Sequence, residues 1–176
     1  GHVTGNSPYL AFEWRAGKEG EFHQVHTRLI GEYNFPNALA AVTIGHFFGV
    51  EAEKIDKALN EYEPRNNRSQ LKKTADNTLI IDAYNANPTS MLAAIGNFRN
   101  MQAEKKMLIL GDMRELGKDS AEEHQRIVDY LEEYGFEDVI LVGELFAATR
   151  HTYTTYPDAP ALIAALQKNK PCGKTI

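Results

Sequence analysis

The residues best equipped for chemistry stand together at Asp82, Ala83, Tyr84, Asn85, Ala86, Asn87 and Pro88. The apolar run Thr78, Leu79, Ile80, Ile81 before them reads as a buried strand, and a helical pattern starts at Pro88. An acid, a tyrosine and two asparagines therefore occupy the loop leaving a strand's carboxyl end, where open α/β sheets bind ligands. Asp82 is placed to accept hydrogen bonds from sugar hydroxyls, and the amides of Asn85 and Asn87 can both donate and accept. A plain turn, with Asn87 as N-cap and Pro88 as first helical residue, accounts for those two positions. It leaves Asp82, Tyr84 and Asn85 together unexplained. A second set is Asn34 and Asn37, three apart at a helix start and able to face one side. Amides at that spacing can read the edge of an adenine ring, although on spacing alone an N-cap is the commoner role. Arg65 and Arg68 follow a helical stretch, and a solvated charge in a linker is the commoner fate of any single arginine.

The loop at Asp82 closely resembles the D-S-Y-N-A-N-P signature of the Mur ligases. Three further blocks agree with that resemblance, in the family's order. Residues 31–41 (GEYNFPNALAA) are similar to G-x-H-N-x-x-N-x-L-A-A. Pro64 to Arg68 (PRNNR) resembles the segment that opens the family's C-terminal domain with an arginine. Residues 111–117 (GDMRELG) are similar to G-D-M-x-E-L-G. The similarity runs from about residue 20 to the end.

This resemblance implies an amide ligase using ATP and Mg2+ in the bacterial cytoplasm, with UDP-N-acetylmuramoyl-tripeptide and D-alanyl-D-alanine as the molecules joined. It implies Asn34 and Asn37 as adenine contacts, Arg68 as the arginine that meets the nucleotide and Asp82 as the ribose-binding acid. Tyr84, Asn85 and Asn87 would line the cleft toward the phosphates and the amino-acid substrate. Tyr33 stands where the family has a histidine, and a tyrosine can still stack on a base. The roles of Asp112 and Glu115 stay open, Asp112 being equally suited to cap a turn. The resemblance further implies that residues 1–63 end a central ATP-binding domain and that 64–176 form a C-terminal domain truncated before its last strands. The phosphate loop, magnesium ligands and carbamylated lysine are then expected upstream, so no catalytic residue is expected within 1–176. Two alternatives stand beside it. One is a sister ligase, including the folylpolyglutamate type, with a different amino acceptor; the other is a nucleotide-binding module without catalysis.

Composition bounds the class. The chain has 176 residues, 43% hydrophobic and 24% charged, as in globular domains. No apolar run approaches the ~20 residues of a membrane helix, and no signal peptide is visible. The net charge of −5 with scattered basic residues argues against a nucleic-acid partner. A single cysteine, Cys172, excludes an internal disulfide.

The elements that must position these residues fall into two parts. Residues 8–15 and 21–30 read as two strands joined by a Gly-rich turn. A helix with Pro36 in its first turn and a stop at Gly49 follows, then a second helix over 51–62. Beyond Pro64, short apolar strands at 79–81, 107–110 and 139–142 alternate with helices at 88–101, 120–134 and 158–168. Ser120 and Glu123 read as a capping box, Gly135 as a stop and Asp158 as an N-cap. Lys174, Thr175 and Ile176 read as the start of another strand. This alternation implies an α/β fold, a Rossmann-like and mainly parallel sheet with helices on both faces, preceded by the strand-helix tail of the ATP-binding domain.

Other signals fail. Gly173, Lys174, Thr175 lacks the glycine five positions earlier that a phosphate loop needs, since Lys168 is there. His23 and His26 are three apart on a strand and face opposite ways, so no metal site is expected.

Overall fold

The computed structural model describes residues 1–65 and 67–176. Asn66, within the Pro64 to Arg68 block, lies outside the described residues. The chain divides into two compact units, one of residues 1–71 and 96–102 and the other of residues 72–95 and 103–176.

In the first unit, β1 (His2–Asn6), β2 (Tyr9–Trp14) and β3 (His23–Ile30) form an antiparallel sheet in that order. Alternation decides which side is buried: Leu10, Phe12 and Trp14 of β2 are buried, as are Val25 and Thr27 of β3. His23 shares the parity of Val25 while His26 is exposed, so the two histidines do face opposite ways. Helices α1 (Phe35–Phe47) and α2 (Ala52–Glu61) supply Ala38, Val42 and Ile55 to the same core. Asp56 of α2 ties the sheet edge down, accepting from the Trp14 indole N–H at 2.7 Å and bonding His23 Nδ1 at 2.8 Å.

The second unit is built on parallel strands. β5 (Thr78–Ile81) pairs with β4 (Gln70–Lys73). β6 (Leu108–Gly111), β7 (Val139–Val142) and β8 (Thr154–Tyr156) form a parallel ladder in that order. Thr175 makes parallel bridges to both Thr78 and Lys106. The Thr78 amide donates to Lys174 O at 2.9 Å and the Met107 amide to Thr175 O at 2.9 Å. Residues 174–176 therefore fill the place between β5 and β6, the further strand expected from the sequence. Four helices complete the connections: α3 (Pro88–Asn100), α4 (Ser120–Glu133), α5 (Glu144–Ala147) and α6 (Ala159–Lys168). Leu162 of α6 packs with Met107 and Ile140 on one face, with Ile109 and Val142 beside them. Leu141, at the alternate position, is fully buried, so the opposite face is covered too. The fold is the mixed α/β, mainly parallel arrangement expected.

Asp158 caps α6 through a 2.8 Å bond from the Ala161 amide, and Gly135 ends α4 at φ 69°. The capping box at Ser120 is a correction. A 3-10 turn at Gly117–Asp119 precedes α4, and Ser120 is already inside the helix. Its carbonyl is instead the acceptor for the His124 ring.

Candidate functional site

The first unit holds a cavity of about 540 Å3, within the range of small-ligand pockets. Its walls are small and apolar, with Ala38 and Ala41 from α1 and Ala58 and Leu59 from α2, and Tyr62 adds an aromatic ring. Asn34, Asn37 and Arg68 line it as well, so three of the four residues implied for nucleotide binding meet one pocket. The asparagines do share a side: Asn37 Nδ2 lies 3.5 Å from Asn34 Oδ1. Asn34 holds the N-cap position of α1, but its side chain makes no capping hydrogen bond. Its amide donates to Ile30 O at 2.8 Å and to Ser69 Oγ at 3.3 Å, which locks the strand end to the segment after Arg68. Asn37 is exposed and presents its amide at the rim. An apolar slot edged by amides suits a flat heteroaromatic ring with donors and acceptors on its edge. An arginine beside it suits phosphate or a stacked base.

The locking segment is Ser69, buried and at φ 48°. The Tyr33 hydroxyl lies 2.8 Å from Ser69 Oγ. The Tyr33 ring rests on Gly31, where a Cβ would come within 2.3 Å of Tyr33 Cε1, and Gly31 also sits at φ 93°. Only glycine serves there. Tyr33 is absent from the pocket lining, so the ring available to a ligand in this cavity is Tyr62. Sequence reasoning missed both Ser69 and Tyr62.

In the second unit, Asp82 is the first residue after β5, and Asp82, Tyr84, Asn85 and Asn87 are all exposed at the strand's carboxyl end. Asn87 carries the N-cap of α3, its Oδ1 accepting from the Ser90 amide at 3.0 Å. Asp112 occupies the matching place after β6. Its two oxygens accept from the Leu145 amide at 3.0 Å and the Phe146 amide at 2.9 Å, in the first turn of α5. The turn that Asp112 caps is thus the one after the neighbouring strand. Gly143 makes room for it at φ 124°, since a Cβ there would lie 2.1 Å from the Asp112 carboxyl carbon. Glu115 is exposed at φ 67°.

Among the described residues no three His, Cys, Asp or Glu side chains are grouped to hold a metal ion. No helix among them is long and apolar enough to cross a membrane. A larger cavity of about 790 Å3 opens at the amino-terminal ends of β7 and β8, but none of the candidate residues lines it. Tyr153 does, and burial followed by the nearby Glu132 raises its phenol above the ordinary value of 10.0.

A mainly parallel α/β sheet with an asparagine-rich loop at a strand's carboxyl end, preceded in sequence by an apolar pocket edged by amides, is the arrangement to be matched to a protein class. The family model described as "Mur ligase, glutamate ligase domain" matches residues 67–175, and the chain belongs to the Mur ligase family. Over 159 residues it is 34% identical to UDP-N-acetylmuramoyl-tripeptide–D-alanyl-D-alanine ligase of Bacillus subtilis, covering 84% of this chain and 35% of that protein. The crystal structure of MurF from Acinetobacter baumannii superposes with a TM-score of 0.77 at 29% identity, covering 98% of this chain and 39% of that one. The MurF ligase of Thermotoga maritima, solved in complex with ADP, shares the fold with a TM-score of 0.79 at 16% identity, over 99% of this chain and 40% of that one. The chain thus spans little more than a third of the length of these relatives.

Proposed function

We propose that this chain is part of an ATP-dependent amide ligase that joins D-alanyl-D-alanine to UDP-N-acetylmuramoyl-tripeptide in the bacterial cytoplasm. The observation that carries the reading is the convergence of Asn34, Asn37 and Arg68 on one apolar cavity. Similarity to UDP-N-acetylmuramoyl-tripeptide–D-alanyl-D-alanine ligases supports the choice of acceptor. Residues 1–63 then end the ATP-binding domain and 64–176 belong to the C-terminal domain.

In this reading Asn37, with Asn34 behind it, reads the adenine edge, and Arg68 meets the nucleotide. Asp82 accepts from the ribose hydroxyls. Tyr84, Asn85 and Asn87 line the way to the phosphates and the amino acceptor. The tripeptide's terminal carboxylate attacks the γ-phosphorus of ATP, giving an acyl phosphate and ADP. The dipeptide amine then attacks the acyl carbon, the C–O bond to phosphate breaks, and phosphate leaves as the amide forms. Charge on the phosphates calls for cations. Mg2+ would supply that charge, and the described residues contain no cluster of three His, Cys, Asp or Glu side chains to hold it.

The test uses the full-length parent protein and MgATP. Phosphate release that requires both the UDP-tripeptide and D-alanyl-D-alanine, with an amide product by mass, is expected. Release driven only by a different amino acceptor would overturn the choice of substrate, and no release with any acceptor would overturn the ligase reading.

A further inference from the structure

The proposed chemistry leaves one fully buried titratable side chain of the second unit unused, His124 of α4. Its ring is spoken for on both nitrogens, each time by backbone. Nδ1 lies 2.6 Å from Ser120 O, and a carbonyl only accepts, so Nδ1 carries the proton. The Met113 amide donates to Nε2 at 3.0 Å, so Nε2 carries none. The two bonds together fix one neutral tautomer. Asp112 Oδ1, 3.9 Å from Nε2, is therefore a neighbour and not an ion-pair partner. The other groups against the ring are Ser120 Oγ at 3.5 Å and the edge of the Phe146 ring.

Met113 begins a short loop whose anchor is buried and whose next two residues, Arg114 and Glu115, are exposed. Glu115 and Gly117 both have positive φ, at 67° and 57°. For Glu115 that conformation is costly and persists only when the surroundings impose it. The loop leaves β6 at its carboxyl end, the edge at which Asp82 leaves β5, with only residues 174–176 between the two strands. We infer that His124 is a positioning residue: as the Nδ1–H imidazole it holds the backbone of residues 112–117 in place at the ligand edge of the sheet. This rests on the ligase reading, which makes that edge the ligand edge. A histidine that merely filled the core would have no reason to spend Nε2 on the one amide beside two exposed charged residues.

The full-length parent carries the test, with His124→Leu and His124→Gln. Glutamine keeps an acceptor for the Met113 amide and leucine does not. Ring 15N shifts of the unsubstituted protein should report the neutral Nδ1–H form. His124→Leu should raise amide exchange within 112–117 alone and lower kcat about tenfold or more, with the KM for ATP nearly unchanged. His124→Gln should recover most of both losses. Turnover of His124→Leu within about twofold of the parent overturns the inference. So does a Gln variant no better than Leu, exchange rising across the whole unit, or the opposite tautomer. Should His124→Leu not fold, His124→Gln decides alone, retained protection and turnover supporting the inference and loss of either overturning it. An unsubstituted parent without ligase turnover would instead sink the ligase reading, and the positioning role with it, while the exchange and 15N results would still establish or refute the tie itself.

Discussion

Asp82 and Asp112 stand at equivalent places, each the first residue after a parallel strand, yet they differ in exposure. Asp112 spends both oxygens on the amides of Leu145 and Phe146. Asp82 is exposed and runs into the exposed Tyr84 and Asn85. The carboxyl end of a strand nominates a residue for ligand binding, but the next loop along decides. Where that loop offers unpaired amides of a helical first turn, the carboxylate is absorbed as a cap. Gly143 makes the absorption possible by leaving the space a Cβ would fill.

The contrast can be broken in order of effect. Gly143→Ala should cost about 3 kcal/mol, because the backbone conformation is nearly glycine-only and Asp112 must move; urea denaturation of the full-length protein measures it, and a neutral result would refute the close approach. Asp112→Ala should cost about 2–3 kcal/mol of stability, two charge-assisted bonds being lost, while leaving the KM for ATP unchanged. Asp82→Ala should act on the nucleotide. A lost charged hydrogen bond of about 1.5–3 kcal/mol raises the KM for ATP roughly tenfold to a hundredfold; an unmoved KM would remove Asp82 from the ribose. Tyr33→Phe should cost about 1 kcal/mol through the Ser69 bond, whereas a larger effect on ATP binding than on stability would return Tyr33 to a ligand role. The smallest effect lies at the other end of the same sheet. Because folding raises the Tyr153 phenol, the stability it contributes is whole below pH 10 and lost as pH rises through the higher folded-state value. A spectrophotometric titration in which Glu132→Gln lowers that value only in part would agree with burial as the larger cause.

Much of this was legible in the sequence. Apolar periodicity found β2, β3, β5, β6, β7 and every long helix, and local chemistry fixed the Asp158 and Asn87 caps and the Gly135 stop. What escaped is β1 and β4, together with features that are short or nonlocal. β8 has three residues, two of them exposed, and α5 has four, so neither shows a period. The pocket joins Asn34 to Ser69 across 35 positions, and a buried serine with positive φ has no sequence signature. Ser120 and Glu123 mimic a capping box because that pattern ignores a 3-10 turn placed just before it. His124 carries no sequence signal, because its partners Ser120 O and the Met113 amide are backbone atoms, which sequence does not mark. An aspartate ending one strand and a glycine ending the next are the signal by which the Asp112 cap could have been found.

The pairing of Thr175 has a consequence for the order in which the second unit assembles. β5 and β6 are not hydrogen-bonded neighbours; the segment that joins them is nearly a hundred positions beyond Thr78 in the chain. Until residues 174–176 insert, Thr78, Ile80 and Met107 lack the partners their backbones use in the finished sheet. The middle of the sheet is thus closed by its most distant contact, which slows folding and leaves two open strand edges facing solvent meanwhile. A ribosome releasing this unit has synthesised both flanking strands long before it delivers the piece that lets them share one sheet.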